Sequence, residues 1–96
     1  RRGGANRVSA TMQVLIPTPL QSYTGSAQVE AEGTTLDELL DDLERRYPGI
    51  RFRLINEQGR TRAHMRIFVN GRSEFDLARS LEPDDDVVIV QALSGG

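Results

Sequence analysis

Apolar residues recur along this chain with two different periods: about two near both ends and about 3.6 in the middle. Met12-Gln13-Val14-Leu15-Ile16 places Met12, Val14 and Ile16 on one side and Gln13 and Leu15 on the other, which predicts a strand. Pro17-Thr18-Pro19 ends it, because proline has no N–H to give a ladder. The turn residues Tyr23-Thr24-Gly25-Ser26 lead into Ala27-Gln28-Val29-Glu30-Ala31, a second alternating strand expected to pair with the first as a hairpin. Then the period changes. Leu36, Leu39, Leu40, Leu43 and Tyr47 fall at i, i+3, i+4, i+7 and i+11, one continuous helical stripe, with Asp41, Asp42, Glu44, Arg45 and Arg46 on the expected solvated face. Thr35 with Glu38 fits a capping box, Asp37 and Glu38 suit the positive end of the helix, and Pro48-Gly49 closes it.

Beyond the helix, Ile50 to Leu54 reads as a short helical turn and Asn56-Glu57-Gln58-Gly59-Arg60 as a polar loop. Met65-Arg66-Ile67-Phe68-Val69 is a third strand stopped by the turn pair Asn70-Gly71, and Arg72 to Glu74 can pair with it as a short edge strand. Leu77 and Leu81 are expected to anchor the next connection, Glu82-Pro83-Asp84-Asp85 to turn, and Asp86 to Gln91 to form the last strand. Four or five strands with one main helix imply an α+β plan, a single mixed sheet wrapped on that helix. Val87-Val88-Ile89-Val90 is apolar on both faces, which argues for a central strand or for a face held ready for a partner. One helix covers one side of a sheet. The other side is where partners are expected.

At 96 residues the chain makes one domain, and 38% hydrophobic with 27% charged residues makes it globular rather than disordered. Residues 1–11 read as a disordered leader or expression remnant, 12–91 as the folded domain and 92–96 as a flexible tail. The apolar run of Val87 to Val90 is far short of a membrane span, and no apolar region follows the basic start as a secretory signal would require. The absence of cysteine removes disulfides, thiolate metal sites and cysteine nucleophiles, and favours a cytoplasmic location. Net charge is −2, with acidic groups gathered at Asp37-Glu38, Asp41-Asp42-Glu44 and Asp84-Asp85-Asp86. Nucleic acid is thereby disfavoured as a partner and a basic groove favoured.

All twelve cationic residues are arginine. Codon bias accounts for this most simply, but a protein with an activated carbonyl also gains from having no side-chain amine to acylate. The paired carboxylates Asp41/Asp42 and Asp84/Asp85/Asp86 fall on a helix face and in a turn without a companion histidine, so they read as solvated groups rather than a metal site. His64 stands alone at the start of a strand and is expected at the surface. Ser22, Ser26 and Ser94 lack a base spaced for nucleophilic catalysis, and no phosphate loop or cofactor motif is present. What remains is the ending Ser94-Gly95-Gly96. A carboxylate becomes electrophilic only when activated, for example as an acyl-adenylate. Glycine allows the narrow slot of an activating enzyme to close around the backbone.

Met12 to Leu20, Val69-Asn70-Gly71, Leu81 to Ile89 and Ala92-Leu93-Ser94-Gly95-Gly96 together resemble the ubiquitin-like sulfur carriers of the ThiS/MoaD type. Ile16-Pro17-Thr18-Pro19-Leu20 with Tyr23-Thr24-Gly25 looks most like the cysteine-biosynthesis carriers. The resemblance covers about residues 12 to 96. It implies a ubiquitin-like β-grasp fold and a protein co-substrate, monomeric when free, with no catalytic side chain and no stably bound cofactor. An E1-like adenylating enzyme would use Mg-ATP to activate Gly96, with Gly95 giving access, and sulfur transfer would leave a thiocarboxylate. A second, sulfur-accepting enzyme would then consume it. Partner-binding residues implied on the open sheet face and tail are Leu15, Phe68, Val88, Val90, Leu93 and Ser94. The competing expectation is a ubiquitin-like protein modifier or a non-covalent binding module.

Overall fold

The computed structural model describes residues 10–92. Its frame is a five-stranded sheet of β1 (Ala10–Leu15), β2 (Gln28–Gly33), β3 (Met65–Val69), β4 (Arg72–Ser73) and β5 (Val87–Gln91), in the spatial order β2-β1-β5-β3-β4. The last strand lies in the centre, parallel to β1 on one side and antiparallel to β3 on the other. Val87 and Ile89 are buried on the helix side, while Val88 and Val90 lie on the face that the helices do not cover. Helix α2 (Leu36–Arg46) packs on one face of the sheet, and α3 (Ile50–Leu54) packs beside it. This is the β-grasp arrangement.

Strand parity fixes the core. Met12, Val14 and Ile16, Val29 and Ala31, Met65, Ile67 and Val69, and Val87 and Ile89 are buried against Leu36, Leu39, Leu40 and Leu43 of the helix. Tyr47, the last member of the helical stripe, caps the C-terminal end and is only partly buried against this core. Leu81 is buried and Leu77 packs partly on the same cluster, as their anchoring role requires. Asn70 and Gly71 both take positive φ, 53° and 83°, the left-handed pair that a two-residue hairpin between β3 and β4 needs.

Several local expectations are revised. β1 starts at Ala10, two residues before the apolar alternation, because Ala10 and Thr11 pair with Gly33 and Glu32. Ala10 and Thr11 of the expected leader therefore belong to a strand, and the residues before them lie outside the described residues. The link from β1 to β2 is longer than a hairpin turn. A 3-10 turn (Thr18–Leu20) runs into a one-turn helix α1 (Gln21–Thr24), which buries Leu20 and ends at Gly25. The two prolines hide this element, since Pro17 and Pro19 stop a strand yet suit the start of a helical turn. At the helix, Thr35 Oγ1 accepts from Glu38 N at 3.2 Å, but the Glu38 carboxylate reaches back to Thr34 rather than to Thr35. The Thr34 hydroxyl and N–H hold that carboxyl below its ordinary range.

Asp42 is the larger correction. It is buried, not solvated. Its carboxylate accepts the Glu32 N–H of the edge strand β2 at 2.9 Å and Arg46 Nε at 2.7 Å, and it is also bonded by Arg45. Burial pushes this carboxyl up, but the Glu32 N–H and the two guanidinium groups outweigh it and hold it below the usual aspartate range. The other acidic group behaves as a turn. Asp85 takes the Glu82 N–H at 2.9 Å and the Asn70 Nδ2 at 2.8 Å, while the Asn70 side-chain Oδ1 accepts from Asp86 N at 2.9 Å. The acidic run thus ties the β3–β4 turn to the start of β5.

Two predictions come from the helix–β2 seam. A Cβ on Gly33 would stand 2.5 Å from Leu39 N and 2.9 Å from Glu38 C, both backbone atoms that cannot turn aside. Gly33→Ala is expected to lower the unfolding free energy in urea by about 1–3 kcal/mol. Asp42→Ala removes the acceptor of the half-buried Glu32 N–H and should remove about 1–3 kcal/mol. Since the folded Asp42 carboxyl lies below its unfolded value, its contribution is complete above the unfolded pKa, near 4, and is lost as pH falls through the folded value. Urea midpoints measured from pH 7 down to about 2.5 should fall for the wild type and fall less for Asp42→Asn.

Candidate functional site

The face of the sheet turned away from the helices carries side chains of the opposite parity. Leu15 stands beside Val88 in the parallel pair, and Val88 stands beside Phe68 in the antiparallel one, so these three form a row across β1, β5 and β3. Val90 and Arg66 are paired in the next row. Leu15 is 44% exposed and Val90 37%, while Phe68 and Val88 are half-buried by their neighbours. The parity expected for Leu15, Phe68, Val88 and Val90 therefore holds. None of the four is in the core.

Phe75 enlarges this face in a way the strand pattern did not reveal. The Glu74 N–H bonds to Ile67 O at 2.8 Å, continuing the β3–β4 ladder, so that the next residue falls beside Arg66. The Arg66 guanidinium lies 5.8 Å from the centre of the Phe75 ring, and the ring is 60% exposed. A large apolar side chain this open beside an apolar row is the kind of surface that a partner covers. The only advance signal was a phenylalanine in a stretch otherwise polar.

At the far end of β5 the chain leaves the sheet. Ala92 N donates to His64 O at 2.8 Å, so the ladder with β3 extends one residue beyond Gln91. Leu93, Ser94, Gly95 and Gly96, the tail residues singled out in the sequence, lie outside the described residues. Two hollows flank the exit. One, of about 430 Å³, lies between Pro17-Thr18-Pro19 and Ile89-Val90-Gln91. The other, of about 380 Å³, is walled by Leu20, Phe52, Arg53, Glu57, Arg62, His64 and Gln91, with Pro19 at its rim. His64 is exposed, as expected, but its backbone carbonyl rather than its ring holds the base of the tail. Among the described residues no group of three or more His, Cys, Asp or Glu side chains is placed to hold a metal ion. The arrangement is a rigid strand end with an apolar face and two hollows beside it. It can present a peptide tail.

The ThiS family is matched over residues 14–96. This chain belongs to the ThiS family. It is 37% identical over 89 residues to the sulfur carrier protein CysO of Mycobacterium tuberculosis, an alignment covering 86% of this chain and 96% of the relative. Among solved structures, a chain of the Amycolatopsis orientalis BexX/CysO complex superposes with a TM-score of 0.80 at 34% identity, covering 88% of this chain and 99% of that one. SAMP1 from Haloferax volcanii shares the fold, with a TM-score of 0.77 at 22% identity over 91% of this chain and 100% of that one. Among the described residues no helix is long and apolar enough to cross a membrane.

The parity of β5 gives a direct test of face against core. Ile89→Ala should cost about 2–5 kcal/mol in urea unfolding, because Ile89 is buried. Val90→Ser, one residue on, should stay within about 0.5 kcal/mol of wild type.

Proposed function

We propose that this ThiS-family chain is a sulfur carrier, a protein co-substrate whose Gly96 carboxylate is the reactive group. In the first step a Gly96 carboxylate oxygen attacks the α-phosphorus of Mg-ATP bound to an E1-like enzyme. Pyrophosphate leaves and an acyl-adenylate forms. In the second, a hydrosulfide equivalent adds to the Gly96 carbonyl carbon and AMP departs with the electron pair of the broken C–O bond, leaving a thiocarboxylate. A sulfur-accepting enzyme then takes that sulfur for cysteine or another sulfur-containing metabolite. The ATP and magnesium belong to the activating partner; the carrier contributes shape and a free end.

The observation that supports this most strongly is the near-full-length relationship to sulfur carriers, in a family match that runs through Gly95 and Gly96. The fold supports it physically. A tail continuing from the central strand starts at a fixed point, which limits the volume in which the reacting end can be delivered. The open face with Leu15, Phe68, Val88 and Val90 supplies apolar docking area next to that strand, with Leu93 and Ser94 assigned to the enzyme's slot. The absence of lysine leaves no side-chain amine in the chain to capture its own activated carbonyl. The protein acts in the cytoplasm as a monomer in this reading.

The test is intact-mass analysis after incubation with an E1-like enzyme, ATP and a sulfur donor. The wild type should gain the mass of one sulfur-for-oxygen replacement, and a chain lacking Gly96 should not. An unchanged wild-type mass with an activating enzyme known to be competent would overturn the reading. Val90→Asp should raise the KM for the carrier about tenfold or more while leaving its thermal unfolding near wild type, since it charges a docking face and spares the core.

A further inference from the structure

Gly96, the residue that the carrier reading makes reactive, follows Ala92 by four positions. An extended chain spans at most about 3.5 Å per residue, so its reach from Ala92 is about 14 Å. An enzyme closing on that residue must bring its walls against the residues around the exit as well as against the sheet face. The exit is not neutral. Its 380 Å³ hollow gathers Arg53, Arg62 and His64 against a single carboxylate, Glu57, on a protein whose overall charge is negative.

Arg62 is held ready there. Its Nε donates to Phe52 O at 2.6 Å and its guanidinium lies 4.4 Å from the centre of the Phe52 ring, which is itself 56% exposed. The Arg62 backbone is fixed as well, with its N–H on Leu54 O at 2.9 Å and its carbonyl accepting from Met65 N at 2.9 Å. A guanidinium stacked and bonded in this way keeps donors for a planar carboxylate and loses little freedom on binding one. Arg45, Arg46, Arg51 and Arg79 are taken up by ion pairs with Asp42, Glu32, Asp37, Asp41 and Glu74. Among the described residues, Arg53, Arg60, Arg62, Arg66 and Arg72 have no carboxylate within 4.0 Å, and of these Arg53 and Arg62 share one hollow.

We propose that the Arg53–Arg62 hollow is a second docking site, which receives a carboxylate-bearing segment of the activating enzyme beside the mouth of its tail slot. This rests on the carrier reading above. The sheet face supplies apolar area, and the arginine hollow sets the direction in which the tail enters. Phe52 gives the hollow an aromatic wall for the aliphatic part of the incoming acidic side chain. The occupant is a protein carboxylate of the enzyme rather than the nucleotide, because the adenylate forms on Gly96, four positions on from Ala92 in the sequence.

The experiment uses the full chain and the adenylating enzyme that forms its thiocarboxylate, with binding measured by calorimetry without ATP and sulfur loading measured separately by intact mass. Arg53→Glu is expected to weaken binding several-fold, and Arg53→Glu with Arg62→Glu about tenfold or more, with binding less sensitive to added salt than in the wild type. Arg72→Glu makes the same charge change at β4, at the opposite end of β3 from the exit, and should leave binding within about twofold. Wild-type affinity in the double variant would overturn the proposal, as would an equal loss from Arg72→Glu. If Arg62→Glu unfolds the protein, the single Arg53→Glu decides, because that side chain makes no bond to the fold among the described residues. Failure of the wild type to load sulfur would instead overturn the carrier reading. That outcome is read from mass, not from the variants.

Discussion

The fold depends on the two-sided pairing of its last strand. β5 lies between β1 and β3, hydrogen-bonded to both, with Val87 and Ile89 sealed against the helix. A central strand is the least able to fray, since opening it breaks two ladders and uncovers the core at once. The pairing with β1 covers Val87 and Val88, and from Ile89 to Gln91 the strand continues on β3 alone. In a protein whose proposed reactive group is its own end, this strand is the element that leads to it.

The sheet is covered on one side only, and the chemistry of that seam is local. Gly33 lets the start of α2 approach to a distance that excludes any side chain, and Asp42 reaches from the helix to the free edge of β2. The Asp42 carboxylate satisfies an edge N–H that would otherwise be buried or left to pair with another chain. Helix and edge strand are thus joined by backbone contact and by a charged hydrogen bond, and the apolar stripe supplies the area between them. The opposite face is left free. Its row of Leu15, Val88 and Phe68, extended by Val90 and Phe75, is open because the described residues place no second layer there.

Much of this was legible without coordinates because periodicity records which face is buried. The stripe from Leu36 to Leu43, the strand Met65 to Val69 and the turn at Asn70-Gly71 are local patterns, and each formed where its pattern lies. Parity also separated Leu15, Phe68, Val88 and Val90 from their buried neighbours. The helical segment after Pro17 was hidden, because proline signals only that a strand stops. Asp42 was misplaced because a helical wheel assigns charged residues to water, and only the neighbouring edge strand makes burial of a carboxylate favourable. Phe75 was overlooked in a polar stretch and Phe52 in the short turn Ile50 to Leu54; their importance lies in the arginines that tertiary packing brings to them.

Alone, the sequence determined the elements, their inward faces and the diglycine ending, since these follow from bonds and spacings between near neighbours. It also carried the family resemblance, which is itself a pattern of local motifs. The order of strands, the pairing of Asp42 with Glu32 and the gathering of Arg53, Arg62, Phe52 and His64 around Gln91 were decided by the tertiary structure. Those contacts join residues far apart in the chain. Their free energy depends on what else is buried when they meet, and no window of neighbouring residues contains that information.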